Sequence, residues 1–251
     1  MSAVGIRVRD LGFTYPDGTV ALEAITFEIA AGESVAVVGG NGAGKSTLLL
    51  HLAGILMAAR GSVDVGVTRV QRATLTEVRK TVGLVFQDPD DQLFMPTVRE
   101  DVAFGPLNLG VRPDEIDARV QEALGAVGAL ALIDRPSHRL SFGEKRAAAI
   151  ATVLSMRPGV LVLDEPSSNL DPRARRRLID LLRSLGTTLV VATHDLDLAA
   201  EVCPRTIVLY GGRVAADGTT PAIFSDKRLL ERTGLEQPLS MRACPVCSRG
   251  A

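Results

Sequence analysis

Apolar residues along this chain follow three rhythms, each ending at polar or turn-forming residues. Near the start, Ile6 and Val8, then Phe13 and Tyr15, fall in an alternating stretch. Pro16-Asp17-Gly18 supplies a turn, and Ala24 to Ile29 alternates again. That spacing predicts an antiparallel, hairpin-rich lobe. Four later runs, Val35 to Val38, Val82 to Phe86, Val160 to Leu163 and Leu189 to Ala192, are continuously apolar. Strands covered on both faces read this way, so a parallel sheet flanked by helices is expected. The segment from Ser46 to Met57 is apolar nearly all round and reads as a central helix under that sheet.

Between Gln87 and Pro158 the period becomes helical, with Pro- and Gly-rich loops. Thr97 and Glu100 have the spacing of a capping box, and Pro113 opens a stretch with Ile116, Val120, Leu124 and Val127 on one stripe. This predicts a helical lobe, residues 88–158, inserted into a domain of residues 1–235. A late hairpin is expected where Ile207 to Tyr210, Gly211-Gly212 and Val214 follow one another. From about residue 236 no period is evident, and residues 236–251 read as a tail.

The chain has 251 residues, 46% hydrophobic and 23% charged, enough for one large core or two lobes sharing one. A formal net charge of -1 supplies no global basic field for nucleic acid. No apolar run approaches the ~20 residues that cross a bilayer. The opening MSAVGIRVRD is no basic-then-apolar leader and the chain has only three cysteines, so a reducing, cytoplasmic setting is expected. Cys244 and Cys247 form a CxxC, readable as half a metal site or as an incidental pair in a tail.

The chemistry is concentrated where apolar runs end. Gly39-Gly40-Asn41-Gly42-Ala43-Gly44-Lys45-Ser46-Thr47 matches GxxxxGK[ST] between an apolar run and a helical one. Such glycines let successive N–H groups face a phosphate at a helix N-terminus; Lys45 would reach the β- and γ-phosphates of ATP, and Ser46 would ligate magnesium. Asp164 and Glu165 end another run. Taken alone, the pair also reads as a helix N-terminal charge pair. Beside a phosphate loop, Asp164 fits a direct or second-sphere magnesium ligand, and Glu165 the base or orienter of the attacking water. His194 ends a third run, readable as a structural hydrogen bonder or a γ-phosphate contact, and Gln87 ends a fourth, within reach of magnesium and the water.

Leu140-Ser141-Phe142-Gly143-Glu144, directly before a helix, stands where the ABC transporter ATPase family carries LSGGQ, and with these motifs in order the chain resembles that family over roughly residues 4–220. The resemblance implies a P-loop NTPase fold: a RecA-like α/β core with a parallel sheet, an N-terminal antiparallel β subdomain and an inserted helical subdomain. It makes Tyr15 the aromatic on adenine, Gln87 a hinge between lobes, Ser168-Asn169-Leu170-Asp171 the loop at a dimer seam and His194 the γ-phosphate switch. Ser141 and Gly143 become an anion-binding end presented to ATP held by a second ATPase chain, in a homodimer or a close heterodimer. Phe142 and Glu144 depart from the common signature. LSFGE, the stretch Val85 to Phe94, and Thr97-Val98 with Asp101 to Pro106 are similar to energy-coupling-factor ATPases of cobalt and nickel importers. That likeness implies a metal-ion or vitamin importer at the cytoplasmic face of the membrane. The acidic, aromatic stretch reads either as a solvated loop or, since exposed Leu93 and Phe94 would otherwise be costly, as part of a groove near Gln87 to Phe94 that grips a helix of an integral membrane partner. A soluble relative acting on nucleic acid or ribosomes is the alternative; it calls for a coiled-coil arm, a second cassette or a basic extension.

Overall fold

The computed structural model describes residues 2–242. Strands β1 (Ile6–Thr14) and β2 (Val20–Ile29) form the expected hairpin. Then follow β3 (Ser34–Val38), α1 (Lys45–Leu52), β4 (Arg60–Val65), β5 (Thr68–Arg69), α2 (Leu75–Thr81) and β6 (Val82–Val85). The helical insertion carries α3 (Val98–Asn108), α4 (Pro113–Ala126) and α5 (Phe142–Leu154). The core resumes with β7 (Val160–Asp164), α6 (Pro172–Ser184), β8 (Thr188–Ala192), α7 (Leu196–Val202), β9 (Arg205–Tyr210) and β10 (Arg213–Thr219). Short helices α8 (Thr220–Ser225) and α9 (Lys227–Thr233) complete it.

One sheet has four strands in the order β2-β1-β4-β5, its mapped pairs antiparallel. The other runs β10-β9-β3-β8-β7-β6; β9, β3, β8, β7 and β6 are parallel, and β10 is an antiparallel edge. The four unbroken apolar runs lie side by side in this sheet, and alternate residues serve opposite faces. Ala36, Val38, Leu161 and Leu163 join a core built with α3 to α9. Val35, Val37, Val160 and Val162 join a core built with β1, β2, β4 and α1. Burial on both faces is therefore the physical cause of the missing alternation.

Two expectations change. The central helix stops at Leu52 rather than Met57, because Gly54 takes a left-handed φ of 66° that a continuing helix does not allow. Residues 236–242 fold back on α7: the N–H groups of Leu239 and Ser240 donate to the Asp197 carboxylate at 3.1 and 2.9 Å, and the Ser240 hydroxyl does so at 2.6 Å. Cys244 and Cys247 lie outside the described residues.

Candidate active site

Parallel strands bring their C-terminal ends to one edge, and this sheet gathers the ends of β3, β6, β7 and β8 there. The loop from Gly39 to Gly44 leaves β3 and enters α1 through Gly44 at φ 99°, a left-handed conformation that strains any other residue. A Cβ on Gly39 would sit 2.4 Å from the Leu209 carbonyl oxygen, so the tight passage beside β9 also requires glycine. No side chain caps α1 and no acid lies in its first turn, which leaves its N–H groups for an external anion. Lys45 is buried with its Nζ donating to the carbonyls of Gly39 at 2.8 Å and Gly40 at 3.2 Å.

Glu165 follows β7 at φ 45°, its N–H donating to the Ala192 carbonyl at 2.8 Å. Its buried carboxylate is held asymmetrically. Oε2 accepts from the Thr193 hydroxyl and the His194 N–H, both at 3.1 Å, and lies 2.7 Å from His194 Nδ1. A carboxylate facing Nδ1 makes that nitrogen the protonated one. Oε1 is 3.9 Å from Lys45 Nζ and has no hydrogen-bond donor among the described residues. His194 is two-thirds exposed. Gln87 lies past the end of β6 with its side chain exposed.

Asp164, the last residue of β7, is buried, and its Oδ1 has no hydrogen-bond partner. Burial pushes its carboxyl above the ordinary value, with the Ser46 hydroxyl and the charges of Lys45 and Arg146 opposing. An orphaned, desolvated carboxylate oxygen near a hydroxyl fits a divalent cation. Among the described residues no group of three or more His, Cys, Asp or Glu forms a protein cage for a metal. Magnesium binds through few protein ligands together with phosphate, and the unpartnered Asp164 oxygen beside the Ser46 hydroxyl is a donor set that fits it.

A family model described as ABC transporter matches residues 22–168. The chain belongs to the ABC transporter family. It is 62% identical to a Geobacter sulfurreducens protein named as an ABC transporter ATP-binding protein, over 97% of this chain and 98% of that one. It is 47% identical to the energy-coupling factor transporter ATP-binding protein EcfA of Methanocaldococcus jannaschii, over 93% and 85%. Among solved structures it resembles cbiO1 of Clostridium perfringens, part of the ABC transporter complex cbiONQ (TM-score 0.79, 41% identity, 90% of this chain and 93% of that one). It also resembles a dimeric post-hydrolysis ATP-binding cassette bound to ADP and Pi (TM-score 0.79, 26% identity, 86% and 98%). The fold is that of the ABC ATPases, which hydrolyse ATP to power transport. No helix of the described residues is long and apolar enough to cross a membrane.

The remaining motif residues of this ABC cassette fall into two groups. Tyr15 flanks the phosphate loop: its phenol is 3.0 Å from Thr47 Oγ1, and its ring meets Phe13 edge-on. Gly39, Gly40, Asn41 and His194 share a cavity of about 500 Å³ walled on its other side by residues 234–239. Ser141 and Gly143 are not brought there. They line a separate cavity of about 540 Å³ with Leu170, Asp171 and α6. Ser141 caps α5 and forms a capping box with Glu144, whose carboxylate accepts from the Ser141 N–H and hydroxyl at 2.8 Å. Phe142 packs over Arg146, 5.4 Å from ring centroid to guanidinium carbon.

One expectation is overturned. Leu93 is buried, 8% exposed, in the core of the helical lobe, because the turn from Pro89 to Gln92 folds it inward. Phe94 is 64% exposed and meets Phe104 edge-on at 4.9 Å, with Leu107 exposed as well. Sequence reasoning also passed over Asp195. Its carboxylate takes Arg175 at 2.9 and 3.0 Å, the Ser167 hydroxyl at 3.1 Å and the Leu198 N–H at 2.9 Å, joining α6 to the segment that carries His194.

Proposed function

We propose that this chain is the ATPase subunit of an energy-coupling-factor-type importer, working as a pair of cassettes on integral membrane subunits at the cytoplasmic face of the membrane. The observation that carries this reading is the asymmetric hold on Glu165. With Oε2 committed to Thr193 and His194, Oε1 is the oxygen left to take a hydrogen from water at the mouth of the phosphate loop. The loop N–H groups and Lys45 hold the β- and γ-phosphates, and His194, tied to the same carboxylate, registers the γ-phosphate. Tyr15 takes the adenine. Ser46 and Asp164, with Gln87, would hold magnesium, which when bound neutralises phosphate charge as the bond to the leaving group breaks.

Separation of Ser141 and Gly143 from the phosphate loop supports pairing: these signature residues reach ATP only from another copy or a close relative, where the Ser141 hydroxyl would exchange its bond to Glu144 for one to phosphate. ATP then joins the two chains, and hydrolysis replaces one bound anion with two that repel, which releases a mechanical stroke. The exposed pair Phe94 and Phe104, with Leu107, suits a helix of the membrane partner. Cobalt or nickel is the proposed cargo, on the likeness of LSFGE and the Val85 to Phe94 stretch to ATPases of such importers.

Glu165→Gln tests the chemistry. Phosphate release is expected to fall about 10²- to 10⁴-fold, with ATP binding kept and an ATP-dependent dimer accumulating in light scattering. Wild-type turnover in that variant would remove Glu165 from its role. Cargo is tested on the complete complex in vesicles, where turnover indifferent to both Co²⁺ and Ni²⁺ would remove these ions.

A further inference from the structure

Arg146 on α5 is 1% exposed and among the largest fully buried side chains of the described residues. Its Nη1 donates to the Phe86 carbonyl at 2.7 Å and its Nη2 to the Gln87 carbonyl, while its Nε has no partner. Two carbonyl dipoles do not neutralise a guanidinium, and the carboxylates that face its charge are those of Asp88 and Asp164. An apolar side chain would fill this space at lower desolvation cost. What the planar fork adds is a grip on two successive carbonyls from two separate nitrogens of one rigid plane, which an apolar group lacks and which an ammonium, a single donor atom on a flexible stem, does not hold in a fixed direction.

The rest of the loop is fastened to the same helix. Gln92 Nε2 donates to the Ala149 carbonyl at 2.8 Å and the Thr152 hydroxyl at 2.7 Å, while its Oε1 accepts the Phe86 N–H at 3.1 Å. Lys145 reaches Asp90 at 2.6 Å. Phe142, one helical turn before Arg146, covers the guanidinium. The departure of this residue from the common signature thus has an intramolecular partner.

We propose that Arg146 is a positioning residue for ATP hydrolysis: its fork fixes the Phe86 and Gln87 carbonyls to α5, so that the Gln87 loop travels with the helical lobe, and Phe142 seals that joint. This rests on the role given to Gln87 above. When α5 moves on pairing of the cassettes, Gln87 moves with it as one body. The phosphate loop, on the opposite core, keeps its grip on nucleotide throughout.

The test uses the full chain carrying Arg146→Lys, Arg146→Met or Phe142→Ala, with Gln87→Ala as reference. Binding of a fluorescent ATP analogue, steady-state ATP turnover, thermal unfolding and amide hydrogen exchange are measured. Arg146→Lys is expected to lower kcat about 10- to 100-fold, as misplacement of a positioned group does, with nucleotide affinity within about twofold of wild type. Exchange of amides 86–92 is expected to rise while that of α1 and β7 stays unchanged. Phe142→Ala, which leaves the fork intact, moves both readouts the same way by less, and it stands in for Arg146→Met should that variant fail to fold. Unchanged kcat in Arg146→Lys overturns the proposal, as does a loss of kcat that merely follows a parallel loss of folded protein and nucleotide affinity. Wild-type kcat in Gln87→Ala would instead overturn the role of Gln87 itself.

Discussion

Asp101 offers a sharp quantitative test of how the outer lobe is built. It is 3% exposed; its Oδ1 accepts the N–H groups of Phe94 and Met95, both at 2.9 Å, and its Oδ2 accepts the Ser137 hydroxyl at 2.6 Å. One carboxylate thereby holds the turn that displays Phe94 and the segment leading into the capping box of α5. Replacing it with alanine removes three charge-assisted bonds and strands their donors. Each such bond contributes about 1.5–3 kcal/mol, and partial rehydration of the two backbone groups brings the expected loss to about 3–5 kcal/mol. For a chain of this length that lowers Tm by about 10 °C. Asp101→Asn keeps an acceptor for the two N–H groups and turns the other atom into a donor that a rotated Ser137 hydroxyl accepts, so about 1 kcal/mol is expected. Urea unfolding of both variants gives the comparison. Loss below about 1 kcal/mol in Asp101→Ala, or equal loss in the two, would refute the account.

Two further outcomes are expected. Burial pushes the Asp195 carboxyl up, but the Arg175 guanidinium and the Leu198 N–H outweigh it and hold the group below its ordinary value. A depressed folded pKa gives stability that is present above the unfolded value of about 3.9 and lost as pH falls through the folded one, so Asp195→Asn should flatten acid unfolding in that window; an unchanged acid limb would count against the pair. Cys203 is buried, its thiol pushed up to about 12 by desolvation. Peptide mapping after iodoacetamide at pH 8 should find it unmodified until the protein is unfolded, and labelling in the native state would show that α7 opens.

What the sequence disclosed was whatever depends on local pattern. Unbroken apolar runs revealed strands buried on two faces, and the glycines and lysine before Ser46 revealed a phosphate loop, because backbone curvature fixes that spacing. Leu93 misled because apolarity within an acidic loop does not say which way a turn folds it. Arg175 with Asp195, and Asp101 with Ser137, were hidden for a different reason: their partners lie 20 and 36 residues away, and charged residues are ordinarily solvated. Arg146 did leave a trace. It stands three, four and seven residues before Ala149, Ile150 and Val153 on one helical stripe, so a charge on that stripe marks a buried polar joint.

The fold-back of residues 236–242 has a practical bearing. Asp195 fastens one end of the His194 segment to α6, and Asp197, two positions on, is fastened by Leu239 and Ser240. A shortened chain ending near residue 238 would release the second anchorage while leaving every nucleotide motif in place. Such a truncation would alter how the segment carrying His194 is held without touching that residue, so affinity handles and fusion partners are best kept from replacing residues 236–242.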